Sequence, residues 1–202
     1  MAWHHWAMAQ QRVHDPIAKF RRWLDGARRA GIPNHNAIAL ATASNGSISV
    51  RYVLLKGVDE RGFVFFTDTR SRKGRELRDN PRASFAHYWQ ARGRQVRVEG
   101  LVEEVTAAEA DAYWLTRPRQ SRLAASVSHQ SARLGSRAEL LARFVGLARK
   151  LKRREVPRPS YWTGFRIRPE SIEFWTHRQH RLHDREIYLR RDRGWRRELL
   201  QP

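Results

Sequence analysis

The sequence predicts an α+β protein built around a small, mainly antiparallel β-barrel. Three observations carry that prediction. Five or more β-rich segments follow one another through short turn signals, the helical segments come in blocks instead of alternating with strands, and no glycine-rich phosphate loop of the GxGxxG or P-loop type occurs. A doubly wound parallel sheet would show the opposite in each respect.

Taken in order, Asp15-Pro16 places an N-cap before a proline at the first helical position, where its missing N–H costs nothing. Ile17, Phe20, Trp23, Leu24 and Ala27 then recur at helical spacing until Gly31-Ile32-Pro33 stops the pattern. Ala37 to Ala43 reads as a buried strand. Asn45-Gly46 is the dipeptide that best tolerates the positive φ angles of a tight hairpin, so Ile48 to Val58 is expected as its antiparallel partner. A turn at Asp59 to Gly62 leads into a strand from Phe63 to Thr67. Ser71 can cap a short helix through Arg78, which Asn80-Pro81 closes.

Strands follow from Arg82 to Trp89 and from Gln95 to Val105, the second interrupted by Gly100. Thr106 with Glu109 is a capping-box pattern that opens a helix through Leu115. Ser136 with Glu139 repeats it before an amphipathic helix on Leu140, Leu141, Phe144, Leu147 and Leu151. Beyond Pro157 and Pro159, β segments from Tyr161 to Arg168, Ser171 to Thr176, Glu186 to Arg190 and Gly194 to Leu199 complete the chain. Residues 15–202 are expected to form a single domain and residues 1–14 an irregular N-terminal segment.

Composition narrows the chemistry. The 202 residues contain no cysteine, which removes disulfides, thiolate catalysis and cysteine-based metal sites. The longest apolar runs fall far short of the roughly 20 residues that span a bilayer. The N-terminus lacks a basic start followed by a continuous apolar stretch, so a cytoplasmic location is expected. A net charge of +20 invites a nucleic-acid partner, but residues 1–100 carry 18 basic and 8 acidic side chains and residues 101–202 carry 22 and 12, a net +10 in each half. A dedicated binding arm would be lopsided, and only five of the forty basic residues are lysine. A basic nucleic-acid-binding module stands as a lesser alternative.

Four groups of residues can carry chemistry. Arg51 and Lys56 bracket an apolar strand, Tyr52-Val53-Leu54-Leu55, and suit anion binding at the two ends of a pocket. Ser71-Arg72-Lys73 sits at a helix start, where free N–H groups and the dipole add to the attraction of a phosphate. Taken by itself, each reads more readily as ordinary surface charge. Tyr113, Arg117 and Ser121, at four-residue spacing, offer a phenol, a guanidinium and a hydroxyl to a phosphate, although Pro118 makes a helix break there the simpler expectation. Arg181-Leu182-His183-Asp184-Arg185 gathers three ionisable types after Phe174-Trp175. The His177, His180 and His183 spacing would not face one point on a strand or turn, so no metal is expected.

In this order the groups resemble the pyridoxamine 5′-phosphate oxidase family, from about Asp15 to Pro202. The carrying segments are RYVLLK (51–56), FFTDTRSRKGREL (65–77), NPRASF (80–85), RQVRVEG (94–100), RPRQS (117–121), SHQS (128–131) and EFWTHRQHRLHDR (173–185). The resemblance implies an FMN-binding split β-barrel that forms a homodimer with FMN in the cleft between subunits. It also implies oxidation of pyridoxine or pyridoxamine 5′-phosphate to pyridoxal 5′-phosphate, with O2 reduced to H2O2. It places Arg51, Tyr52, Val53, Leu54, Leu55, Lys56, Phe66, Thr67, Arg72, Lys73, Gln95, Gln130, Ser131, Trp175 and Arg185 against FMN. Lys56, Tyr113, Arg117 and Ser121 would hold the substrate phosphate, and Arg181 and His183 would lie over the pyridine ring as the catalytic pair, orienting the substrate with no strong general base required.

Two departures accompany the resemblance. Ala124 and Ser126 stand where the family usually carries Gly and Trp, and the family's substrate-covering segment is not recognisable in residues 1–14. The chain is also similar to flavin oxidases of phenazine biosynthesis, which act on a dihydrophenazine carboxylate. Those generally lack the strand lysine and the clamp tyrosine that this chain has as Lys56 and Tyr113. A noncatalytic flavin-binding module is a further alternative.

Overall fold

The computed structural model describes residues 15–202, so the irregular segment expected at 1–14 and any substrate-covering role for it lie outside the described residues. Asp15 opens the first helix as its sequence predicts. The Ala18 N–H donates to its carboxylate at 3.0 Å, and Pro16 takes the first turn of α1 (Pro16–Arg29). At the first hairpin, Asn45 and Gly46 both adopt positive φ, 49° and 74°, and Ser44 pairs with Ser47. This is the two-residue turn that matches the twist of β1 (Ala37–Ser44) and β2 (Ser47–Leu54).

The expected strand from Ile48 to Val58 is corrected to two. Asn36 closes the β1–β2 ladder by accepting the Leu55 N–H on its carbonyl (2.8 Å) and donating its side-chain amide to the Leu55 carbonyl (2.9 Å). Lys56 N–H instead donates to the Val64 carbonyl at 2.8 Å. The chain therefore changes neighbours at Leu55-Lys56, and β3 (Gly57–Asp59) pairs with β4 (Gly62–Asp68).

Helix α2 (Arg72–Asp79) follows, capped by Ser71, then β5 (Arg82–Trp89) and β6 (Arg94–Glu104). The capping box at Thr106 and Glu109 is fully formed at the start of α3 (Ala107–Thr116). Pro118 ends the helical path as expected, and a short helix absent from the sequence reading, α4 (Arg119–Val127), starts immediately after it. Helix α5 (Arg137–Leu151) is capped by Ser136. The two expected segments around Pro169 are one strand, β7 (Trp162–Thr176). Gly100 pairs with Pro169 while Glu99 pairs with Ser171, so the register slips at a bulge that accommodates a residue with no N–H to give. Strands β8 (Asp184–Arg190) and β9 (Trp195–Leu199) finish the chain.

Among the described residues all pairings are antiparallel, in the order β2-β1-β5-β6-β7-β4-β3, with β8 joining β7 and β9 joining β8. The first half of β7 pairs with β4 and its second half with β8, so two strands share one edge in succession and the barrel splits there. Helix α1 plugs the barrel with Ile17 and Phe20. The Phe20 ring stands edge-on to Phe63 at 4.9 Å within a core that includes Phe85, Trp89, Val96, Val98, Ile172 and Phe174. A second cluster of Trp114, Leu123, Val156 and Trp162 seats α3, α4 and α5 beside the barrel. Leu141, expected on the buried face of α5, is 49% exposed, and the helix contacts the cluster through Phe144, Leu147, Ala148 and Leu151.

Gly74 is the position where α2 meets the preceding turn most tightly: an added Cβ would lie 2.3 Å from the Thr69 carbonyl oxygen. Gly74→Ala is expected to lower stability by about 1–3 kcal/mol, because the clash is with backbone and cannot relax by a rotamer change. Gly146 of α5 has no atom within 4 Å of that position, so Gly146→Ala should instead stabilise by up to about 1 kcal/mol. Thermal unfolding of the two variants reads the opposite signs.

Candidate active site

A cleft of about 730 Å³ opens where β2, the end of β4, the start of α2, the α3–α4 junction and the loop after α4 converge. Arg51, Lys56, Arg72, Lys73 and Arg117 line it, and among the described residues no carboxylate does. Of the fifteen residues expected around a flavin, eleven line this cleft: Arg51, Tyr52, Val53, Leu54, Lys56, Phe66, Thr67, Arg72, Lys73, Gln130 and Ser131. All four residues expected to hold a substrate phosphate, Lys56, Tyr113, Arg117 and Ser121, line it too. Leu55 does not. Its side chain is in the main core and its N–H and carbonyl are bonded to Asn36.

One end of the cleft is built on α2. Ser71 caps the helix and leaves the next two side chains, Arg72 and Lys73, at its positive end. Lys73 Nζ donates to Thr67 Oγ1 at 3.0 Å and Gln130 Oε1 at 2.9 Å. Burial, with the nearby charge of Arg51, pushes its pKa down to about 8. Ser131, beside Gln130, has φ of 70°, a conformation uncommon for serine that turns the loop at the cleft wall.

Behind this end lies Glu76, which the sequence reading missed. Its carboxylate accepts Arg72 Nε at 2.8 Å, Arg51 Nη2 at 3.0 Å, Thr42 Oγ1 at 2.5 Å and Ser49 Oγ at 2.6 Å. Burial acts to raise its pKa, but the combined hydrogen bonds from Ser49, Thr42, Arg72 and Arg51 outweigh it and hold the group at about 2. The signal available in the sequence was its spacing, four residues after Arg72 on one helix.

The other end is aromatic and cationic. Pro118 breaks the helix so that Tyr113, Arg117 and Ser121 do not run along one face, yet the kink turns all three into the cleft. Tyr113 stacks on Phe66 at 4.0 Å, and Lys56 Nζ stands 6.0 Å from the Tyr113 ring centre. The Arg117 guanidinium lies 4.6 Å from Trp162 and 5.3 Å from Trp114, and donates from Nη2 to the Ser121 carbonyl at 3.1 Å. Its burial lowers its pKa. A smaller cavity of about 410 Å³ behind Phe66 and Gln130 reaches Ala124, and Ser126 donates to the Arg122 carbonyl while its own carbonyl accepts Tyr161 Oη at 2.9 Å.

The remaining expected residues form a separate surface. Gln95 pairs with Trp175, and Trp175 with Arg185, in one row across β6, β7 and β8. Arg185 is fixed by Glu173 at 2.8 Å and the Gln201 carbonyl at 2.9 Å. The His183 ring lies 4.5 Å from Trp175, and its Nδ1 accepts the Arg178 N–H at 3.2 Å. His180 and Arg181 both have positive φ, 55° and 62°, a strained turn that presents the Arg181 side chain. None of Gln95, Trp175, Arg181, His183 and Arg185 lines the cleft of the same protomer.

Comparison with known proteins bears on both surfaces. The family model described as pyridoxamine 5′-phosphate oxidase matches residues 24–148, and that described as the pyridoxine 5′-phosphate oxidase C-terminal dimerisation region matches residues 162–202. A pyridoxine/pyridoxamine 5′-phosphate oxidase of Rubrobacter xylanophilus is 52% identical over 189 residues, 93% of this chain and 87% of its own. The protein of that name from Myxococcus xanthus strain DK1622 is 49% identical over 93% of this chain and 92% of its own. Among solved structures, PhzG from Burkholderia lata 383, in complex with tetrahydrophenazine-1-carboxylic acid, superposes with a TM-score of 0.88 at 36% identity, covering 93% of each chain.

Proposed function

The chain belongs to the pyridoxamine 5′-phosphate oxidase family, and on that footing we propose that it oxidises pyridoxine or pyridoxamine 5′-phosphate to pyridoxal 5′-phosphate with FMN as cofactor. The observation that carries this reading is one carboxylate-free cleft with two cationic ends, Arg51, Arg72 and Lys73 at one and Lys56, Tyr113, Arg117 and Ser121 at the other. Two phosphorylated molecules side by side need two such ends.

The residues present fit FMN. The volume is within the range of cofactor pockets, the guanidinium and ammonium groups at the α2 end suit a phosphate dianion, and the β2 and Gln130 polar groups supply donors and acceptors for a ring edge. A bound FMN would supply the acceptor for hydride equivalents from the substrate C4′ carbon, with O2 as the final oxidant reduced to H2O2. The protein's part is placement and charge. Arg117, Lys56, Tyr113 and Ser121 grip the substrate phosphate. Arg181 and His183 orient the pyridine ring from the opposite side.

That opposite side is supplied by a second copy. Residues 162–202, which match the dimerisation region, contain Trp175, Arg181, His183 and Arg185. One face of β2 carries Ile48, Val50, Tyr52 and Leu54, all exposed, as an apolar stripe that forms part of the cleft wall and extends past it for the partner to cover. In the homodimer each cleft combines one protomer's cationic pocket with its partner's Gln95–Trp175–Arg185 row.

The similarity to PhzG favours a second reading, oxidation of a reduced phenazine carboxylate. The FMN-loaded protein is tested with pyridoxine 5′-phosphate and with a dihydrophenazine carboxylate, reading H2O2 formation. Peroxide with the first alone supports the proposal, and peroxide with the second alone replaces it.

Lys73 makes FMN binding pH-dependent. Above about pH 8 the flavin-free cleft holds a neutral lysine, and a bound phosphate must draw a proton back onto it. FMN affinity is therefore expected to fall as pH rises above 8, with a limiting slope of about tenfold per pH unit. The flavin-free protein should show the opposite trend: the unfolded chain, with Lys73 near 10.5, binds more protons between about 8 and 10.5, so this group's contribution to stability rises with pH there. The difference between wild type and Lys73→Ala in flavin titrations and thermal unfolding isolates both effects.

A further inference from the structure

We propose that Glu76 is a positioning residue for the flavin phosphate and thereby sets the preference for FMN over riboflavin, an inference that rests on the proposed FMN site. The arrangement starts from strand register. Thr42 of β1 sits directly opposite Ser49 of β2, and both hydroxyls donate to the Glu76 carboxylate. Arg51, two residues on from Ser49, reaches the same oxygen as Thr42, while Arg72, one turn before Glu76 on α2, takes the other. Three separate elements thus converge on one carboxylate, which is 7% exposed.

Burying a carboxylate costs more than burying an apolar group of the same size, so packing alone does not account for it. Two guanidiniums facing a single phosphate would repel each other, and a fixed anion between them removes that repulsion while fixing their orientation. Glu76 engages Nη2 of Arg51 and Nε of Arg72. Among the described residues this leaves Arg51 Nε and both terminal nitrogens of Arg72 without a protein partner, at residues that line the cleft. Glu76 itself does not line the cleft, so it touches no ligand and acts through the two arginines.

The test uses the full chain stripped of flavin, with FMN and riboflavin dissociation constants measured separately by quenching of flavin fluorescence. Glu76→Gln keeps the size and removes the charge. FMN affinity is expected to fall at least about tenfold with riboflavin affinity within about twofold, so that the ratio of the two collapses. Thr42→Val, which removes one donor to the carboxylate together with the acceptor of Arg51 Nη1 and leaves every cleft-lining residue unsubstituted, should give the same selective loss at about threefold and serves if Glu76→Gln does not fold. Unchanged or tighter FMN binding in these variants would mean that Glu76 merely competes with the phosphate and overturns the inference. A parallel loss of both flavins also overturns it, as the mark of a role in folding only. A wild-type protein with no preference for FMN removes the proposed site itself, an outcome read before any variant is made.

Discussion

Alanine in place of Arg117 is expected to raise the KM for pyridoxine 5′-phosphate by about 100-fold while FMN retention stays within about twofold. The magnitude follows from what the guanidinium does in the cleft. It is half-buried between Trp162 and Trp114, spends one donor on the Ser121 carbonyl, and keeps its other N–H groups for an anion. A charge-assisted hydrogen bond to phosphate contributes about 1.5–3 kcal/mol, and a fork making two of them reaches the upper end. Arg117→Lys should recover part of the loss, since an ammonium keeps the charge but not the planar fork or the stacking on two indoles. Unphosphorylated pyridoxine provides the internal control: whatever slow oxidation it supports should be insensitive to Arg117→Ala. If both substrates suffer alike, or if flavin is lost with the arginine, the assignment of this end of the cleft to the substrate phosphate is wrong.

The sequence shows some of these parts and conceals others for definite reasons. Caps and turns are local, so Asp15, Ser71, Thr106 and the Asn45-Gly46 turn could be located from neighbouring residues alone, and each one is formed. Strand continuity is not local. Pro169 reads as a break because a proline cannot donate to a ladder, and only its pairing with Gly100 on another strand makes one long β7 possible. The change of partners at Leu55-Lys56 was hidden likewise, because the run is uniformly β-prone and the ladder is closed by Asn36, nineteen residues away. Helix α4 begins right behind Pro118, where the proline that ends one helix also starts the next, and only the ending was apparent.

The same distinction runs through the active site. Arg72 and Lys73 stand out because a helix start is a recognisable place for an anion. Glu76 lies in Arg-Glu-Leu-Arg-Asp, which reads as a solvated helical face, and its meaning depends on Thr42 and Ser49 arriving from two other strands. Gln95 is unremarkable in the chain and is marked only by the family resemblance, whereas Arg185 stands out in the ionisable cluster that follows Phe174-Trp175. The alignment of Gln95, Trp175 and Arg185 into a row is a property of the β6, β7 and β8 register, which sets Gln95 beside Trp175, 80 positions on, and Trp175 beside Arg185.

That row supplies the second large effect, restoration of activity by mixing two inactive variants. Arg117→Ala disables the cleft of the protomer that carries it, and His183→Ala disables the surface that the same protomer lends to its partner. His183→Ala is expected to depress turnover much more than FMN retention, because the cationic groups expected to hold the flavin phosphate, Arg51, Arg72 and Lys73, belong to the cleft and are left intact. If each site is shared across the two-fold axis, a heterodimer of the two variants has one site carrying both defects and one carrying neither. Random reassembly of equal amounts makes half the dimers heterodimers, each with one intact site, so about a quarter of wild-type activity should return from two preparations that are nearly inactive alone. Lowering the protein concentration until dimers dissociate should abolish the recovered activity together with that of the wild type. A mixture that never exceeds the average of its parents would show that one protomer supplies both surfaces to its own cleft. The separation of His183, Trp175 and Arg185 from the cleft within the chain makes that outcome hard to build, since β7 and β8 would have to leave the register that holds them to the sheet.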